Sequence, residues 1–152
     1  MDYHQILPKL FVGSHPGSIE DIETLMRDAG VSAVLNLQTD DDMRYFNLDS
    51  DLLSAHYKSC GIELRRVPVR DFDALDLREK LPSCVAALDD LIVSARTVYL
   101  HCSAGAGRSP SVAIAYLCSC CGWGLDAAVA HVTQCRPCTP NIEVIRRALA
   151  GY

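Results

Sequence analysis

Three short runs rich in β-branched and aliphatic residues, "VSAVLNLQ", "IELRRVPV" and "TVYL", are separated by segments with helical patterning. That alternation constrains the fold more than any other feature. The run "VSAVLNLQ" is nearly continuous in apolar residues, as a strand covered on both faces must be. Strands alternating with helices imply right-handed crossovers and parallel neighbours. The expected fold class is α/β, with a central, mainly parallel sheet flanked by helices.

The remaining segments fit around that core. "ILPKLFVGS" reads as a β-hairpin turning at Pro8-Lys9, and Ser18 caps a helix "IEDIETLMRDAG" that Gly30 stops. "TDDDMRYF" reads as a polar loop ending in two aromatics. "DSDLLSAHYKSCG" is a helix stopped by Gly61. After "IELRRVPV" the segment "RDFDALD" reads as a loop, and Pro82 is placed in the first turn of a helix running to about Ala95. Further helices are expected after Arg108, from about Leu125 to Gln134, and from about Asn141 to Ala150.

With 152 residues and 49% hydrophobic content, residues 1–152 are expected to form one domain with a buried core. A formal charge of -5 argues against wholesale nucleic-acid binding and leaves room for one local cationic pocket. No apolar run is long enough to span a membrane, and the N-terminus lacks the basic and apolar regions of a secretory signal. The eight cysteines lie mostly in apolar helical context, which fits free thiols in a reducing intracellular compartment, the cytoplasm or, after removal of a transit peptide, a plastid. Cys118, Cys121, Cys135 and Cys138 have a spacing reminiscent of a zinc site. The first pair, however, falls inside a helix and not on a tight knuckle, so no metal is expected.

The chemistry concentrates in "VYLHCSAGAGRSPS". It links a strand to a helix, where successive backbone N–H groups and the helix N-terminus can converge on one anion. Gly105 and Gly107 permit the backbone turns of such a cradle, built from Ser103, Ala104, Gly105, Ala106, Gly107 and Arg108. Arg108 can donate two parallel hydrogen bonds to a phosphate. Cys102 is the candidate nucleophile, because the same N–H groups favour its thiolate. Ser109, followed by Pro110, reads as a helix N-cap and as a donor to the departing thiolate. His101 is expected to fix the loop backbone and not to act as a base. A phosphate ester also needs a proton donor for its leaving oxygen. "VRDFDALD" follows a strand at the same sheet edge and offers Asp71, Asp73 and Asp76. Asp71 comes first and is preferred, with Asp73 as the reserve. No cofactor is required.

"HCSAGAGRSP" resembles the loop of the dual-specificity phosphatases. More narrowly, Cys-x-Ala-Gly-x-Gly-Arg is similar to the glucan phosphatases of the laforin and plant starch-excess types. The stretches "VLNLQTDDDMRYF", "RDFDALDLREKLP" and "RPCTPN" carry the same resemblance across nearly the whole chain. It implies the dual-specificity phosphatase fold, a cysteinyl-phosphate intermediate, Asp71 as general acid, and removal of phosphate from a starch-like or glycogen-like glucan. It also implies aromatic sugar contacts, which carry over onto Phe72, Tyr45 and Phe46, while Tyr116 and Trp123 are read as packing residues. Departures are Ala106, where larger apolar residues are usual, and Cys118 and Ser119, where plant members carry aromatics.

The rival substrates are phosphoproteins, for which the core chemistry is identical, and phosphoinositides. Phosphoinositide phosphatases often carry lysines at the loop positions occupied here by Ser103 and Ala106. Arg65, Arg66 and Arg70 are not all expected to face one pocket. A non-catalytic phosphate-binding adaptor is the reading from a different class. The expected partners are thus a phosphorylated glucan or phosphoprotein, with no nucleic acid and no membrane, on a monomer.

Overall fold

The run Val98–His101 forms the central strand of a five-stranded sheet in a computed structural model, which describes residues 1–151. In chain order the strands are β1 (Tyr3–Leu7), β2 (Leu10–Gly13), β3 (Ala33–Asn36), β4 (Glu63–Arg66) and β5 (Val98–His101). They lie in the order β1-β2-β5-β3-β4. Only the β1–β2 hairpin is antiparallel, and it turns at Pro8-Lys9 with a bulge between Gln5 and Leu7. The pairs β2–β5, β5–β3 and β3–β4 are parallel. Their C-terminal ends, Gly13, His101, Asn36 and Arg66, therefore share one edge. In open sheets of this kind ligands bind outside that edge.

Among the described residues there are seven helices: α1 (Ile19–Ala29), α2 (Asp40–Tyr45), α3 (Ser50–Ser59), α4 (Ala74–Val93), α5 (Arg108–Cys121), α6 (Leu125–Cys135) and α7 (Ile142–Leu149). Alternate strand residues serve the two faces, as the pleat requires. Val34 and Tyr99 pack with Ile22 and Leu25 of α1 and with Leu53 and Tyr57 of α3. Ala33, Leu35, Val98 and Leu100 face the larger core built with α4 to α7. Helix α5 runs through that core, and every residue from Arg108 to Leu117 is buried. From Val112 to Leu117 the helix is apolar on every side, and such a stretch has to lie inside.

Three sequence expectations are corrected. "TDDDMRYF" is not a plain loop, because Asp40–Tyr45 is helical. Thr39 Oγ1 accepts from the Asp42 N–H at 3.1 Å and Asp42 Oδ2 accepts from the Thr39 N–H at 2.9 Å. This reciprocal cap, with three acids in the first turn, makes so short a helix viable. Pro82 is not in the first turn of its helix. Helix α4 begins eight residues earlier, where Asp73 Oδ1 accepts from the Asp76 N–H, and Pro82 lies on the exposed face of its interior. Ser109 is not an N-cap, since Gly107 holds that position and Ser109 lies inside α5.

Candidate active site

The loop from Cys102 to Gly107 leaves β5 at the sheet edge, and each of its carbonyls accepts a hydrogen bond from outside the loop. Cys102 O accepts from His101 Nδ1 at 2.8 Å. Ser103 O accepts from the His15 N–H at 2.9 Å and lies 3.0 Å from His15 Nδ1. Ala104 O and Gly105 O accept from Arg136 Nη2 and Nε at 3.1 and 2.8 Å. Ala106 O accepts from the Thr139 N–H at 2.7 Å, and Gly107 O from Ser111 Oγ at 2.7 Å. In a trans peptide the next N–H points away from the carbonyl. With six successive carbonyls held outward, the N–H groups turn into the loop. The N–H groups of residues 103–107 have no protein acceptor among the described residues.

Gly105 makes this turn possible. Its φ is +70°, and a Cβ there would stand 2.5 Å from both the carbonyl carbon and oxygen of Gly13. Only glycine relieves both the backbone and the contact. His101 is buried, and burial pushes its imidazole down to about 4, so the ring is neutral and donates through Nδ1. Arg136 is 3% exposed and also reaches His4 Nδ1 and Asp2 Oδ1, at 3.0 and 3.3 Å, which ties the loop to β1.

Cys102 Sγ lies 3.3 Å from Ser109 Oγ at the floor of the loop. Arg108 is 4% exposed and faces it. Its Nη1 donates to Asp42 Oδ2 at 2.7 Å and to Val69 O at 2.8 Å. Nη2 lies 3.4 Å from Ser103 Oγ and 3.3 Å from Asp71 Oδ2. Its buried Nε has no partner among the described residues. A guanidinium held from behind, with one N–H left over in a cradle of N–H groups, is a receptor for an oxyanion. Burial alone would raise the carboxyl of Asp42, but the Arg108 guanidinium and the Thr39 N–H more than offset that and hold it below its ordinary value.

The loop forms the floor of a cleft of about 330 Å³, walled by Asp71, Phe72, Asp73 and Leu77 on one side and by Thr139 and Asn141 on the other. Of the three aspartates considered as acids, only Asp71 directs its carboxyl towards Arg108. Asp73 caps α4 and pairs with Arg70. Asp76 is 4% exposed and accepts from the Arg70 N–H at 2.7 Å and from Lys80 Nζ at 3.2 Å, so it is committed to the fold. Phe72 is fully exposed on the cleft wall and has a φ of +56°. Tyr45 and Phe46 do not line the cleft. They stack edge-to-face at the end of α2, and Phe46 packs on His15. Tyr116 is buried in α5 and Trp123 is half-buried.

Sequence reasoning missed Asp42, Arg136 and His15. Asp42 carried a signal, since an acid three residues after Thr39 marks a helix start. Arg136 and His15 act from elements remote in sequence: Arg136 opens "RPCTPN", a stretch that carried the resemblance but gave this arginine no role, and His15 carried no signal. The cysteines at 118, 121, 135 and 138 are free, and among the described residues no three His, Cys, Asp or Glu side chains gather as metal ligands do.

A cysteine-bearing loop of inward N–H groups, set between a central parallel strand and a buried helix, is the arrangement of a Cys-x5-Arg phosphatase catalytic domain. The chain belongs to the dual specificity phosphatase, catalytic domain family, whose model matches residues 10–150. It is 36% identical to phosphoglucan phosphatase DSP4, amyloplastic, of Castanea sativa, over 99% of this chain and 40% of that protein. It is 32% identical to laforin of Mus musculus, over 90% of this chain and 44% of that protein. The chain thus spans less than half the length of these curated relatives. Among solved structures it superposes on Tk-PTP in the active form with a TM-score of 0.78 and 24% identity, covering 97% of this chain and 93% of that one. That likeness speaks for the fold.

Proposed function

We propose that this domain hydrolyses phosphate monoesters carried on a glucan, through a cysteinyl-phosphate intermediate. Cys102 Sγ attacks phosphorus in line, while Arg108 and the inward N–H groups of residues 103–107 take up the charge on the equatorial oxygens. Asp71 gives its proton to the leaving sugar oxygen. Its carboxylate then takes a proton from the water that attacks the cysteinyl-phosphate, and Ser109 Oγ donates to the departing thiolate. His101, kept neutral near neutral pH by its burial, holds the Cys102 carbonyl and takes no proton.

The reading of the carrier rests on the cleft mouth. Phe72 offers a flat apolar face there, suited to the apolar face of a sugar ring. Arg70, which lines the cleft beside Phe72, is already engaged by Asp73 and Asp76. A carrier with further phosphates or carboxylates finds Arg70 already paired, whereas a neutral polyol needs no cation. The name of the Castanea sativa relative, a phosphoglucan phosphatase, points the same way.

The test measures phosphate release from phosphorylated amylopectin, a phosphotyrosine peptide and a phosphoinositide, with Cys102→Ser as the blank. Amylopectin is expected to be the best of the three. Phe72→Ala is expected to lower amylopectin hydrolysis about tenfold while leaving a small aryl phosphate within about twofold, the loss of one stacking contact. Peptide activity equal to or above glucan activity would overturn the carrier assignment in favour of a phosphoprotein.

A further inference from the structure

The peptide unit joining Val69 to Arg70 is held at both ends. Its carbonyl, Val69 O, accepts from Arg108 Nη1 at 2.8 Å. Its N–H, on Arg70, donates to Asp76 Oδ2 at 2.7 Å. Asp71 is the next residue, so this one plane sets where the acid leaves the backbone. Asp76 itself cannot drift. It sits in the first turn of α4, its own N–H is bound to Asp73 Oδ1 at 3.0 Å, and its carboxylate lies 3.1 Å from Lys80 Nζ and 3.6 Å from Arg70 Nη2. The Arg70 N–H outweighs the effect of burial, so the carboxyl lies below its ordinary value and Asp76 is an anion.

Beyond this plane the chain is strained and exposed. Phe72 adopts a left-handed backbone, and its N–H donates to Asp71 Oδ1 at 3.1 Å, while Asp71 Oδ2 stands 3.3 Å from Arg108 Nη2. Apart from that pair with Arg108, Asp71 takes its position from Phe72 after it and from the Val69–Arg70 plane before it. Earlier in the segment between β4 and α4 the Val67 N–H donates to Asn36 O at 3.1 Å and the Val69 N–H to Leu37 O at 2.9 Å, and the buried Asp76 carboxylate anchors the part that follows, at the Arg70 N–H.

We infer that Asp76 is a positioning residue, which sets the general acid Asp71 through the Arg70 N–H and registers the acid segment against the phosphate-binding Arg108. The acid is thereby held in place before substrate arrives, with no lid to close. A side chain at 76 that cannot accept from the Arg70 N–H frees that end of the plane, Asp71 loses its aim at the leaving oxygen, and Arg108 keeps Asp42 as its anchor. The chemistry that suffers is protonation of the leaving group, and only where the leaving group needs it.

This inference rests on Asp71 being the acid, so the experiment tests the two separately. kcat/KM against pH is measured for a nitrophenyl phosphate, whose anion departs with little help, and for phosphorylated amylopectin, whose alkoxide needs a proton. Asp71→Asn is expected to lose about 10²–10⁴-fold on the glucan. It should lose far less on the aryl ester, and it should flatten the basic limb of the profile. If it does not discriminate between the two esters, the acid assignment falls and this inference with it. Asp76→Ala is expected to lose about 10²-fold on the glucan, the effect of a misplacement of about an ångström. On the aryl ester it should stay within about threefold of the wild type. The double variant should be no worse on the glucan than Asp71→Asn alone, because both act on one step. Asp76→Asn retains an acceptor for the Arg70 N–H and should recover most of the loss. Lys80→Gln, which leaves that bond intact, should keep the wild-type ratio between the esters whatever it does to stability. If Asp76→Ala does not fold, Asp76→Asn carries the comparison, with a loss of about tenfold expected on the glucan alone. With Asp71→Asn behaving as expected, equal losses on both esters, or losses that add to those of Asp71→Asn, would overturn the positioning role.

Discussion

Arg136→Met tests the outward-carbonyl account of the loop. Methionine keeps much of the apolar stem and removes the fork. Gly105 O is buried and loses its only side-chain donor, whereas Ala104 is exposed and its carbonyl can turn to water. An unsatisfied buried acceptor costs about 1–3 kcal/mol. The bond to His4 Nδ1 adds about 1 kcal/mol, and the pair with the exposed Asp2 adds little. The expected destabilisation is about 2–4 kcal/mol, or a fall in Tm of roughly 5–15 °C for a chain of this size. The catalytic effect should be larger than the structural one. The two peptide units that Arg136 holds carry the N–H groups of Gly105 and Ala106, and the loss of one aimed oxyanion donor costs about 10²–10³-fold. Phosphate release well below the new Tm should fall at least about 10²-fold on every ester alike, and tungstate affinity should fall with it. Arg136→Lys should recover only part, since an ammonium cannot serve two carbonyls in a fixed fork. Retention of kcat/KM within about threefold, or a loss confined to the glucan, would refute the reasoning.

Two other perturbations have defined outcomes. Asp42→Asn removes the charge behind Arg108. Loss of a charge-assisted hydrogen bond of about 1.5–3 kcal/mol should lower kcat/KM roughly 10–10²-fold on aryl and glucan esters equally, and an unequal loss would place Asp42 elsewhere in the mechanism. Stability should fall in two stages on acidification. His101 titrates at about 4 in the fold against an ordinary 6.5, so the unfolded chain binds more protons between those values and stability declines as pH falls through that window, by up to about 3 kcal/mol. The depressed carboxyls of Asp2, Asp42 and Asp76 contribute stability that is present above their ordinary value of 3.8 and lost as pH falls below it. Urea midpoints at pH 7, 5.5 and 4.5 read the first stage. His101→Asn should remove it, and an unchanged slope would mean that the imidazole is charged in the fold.

What the sequence made legible was local. The parallel strands announced themselves as short apolar runs, and the Cys102–Arg108 loop has its thiol, glycines and arginine within seven consecutive residues. The start of α4 was equally local but was hidden by Pro82, whose usual place in a first turn outweighed the weaker cap at Asp73 and Asp76. Asp42, Arg136 and His15 bond the loop or its arginine from 66, 31 and 88 residues away. Each is an ordinary polar residue in its own segment. It becomes part of the site only after the sheet brings β2, α2 and the end of α6 to one edge, and no pattern of spacing encodes that.

The backbone at Phe72 sets two kinds of selection against each other. A left-handed φ costs a residue with a Cβ about 1–2 kcal/mol, and a fully exposed phenyl ring recovers almost none of it by burial. A lineage under pressure for thermal robustness alone would drift to glycine at this position and gain stability. One under pressure to release phosphate from a sugar polymer would keep the ring and carry the strain. Residue 72 is thus the place where a laboratory population grown under one pressure and then the other should diverge first.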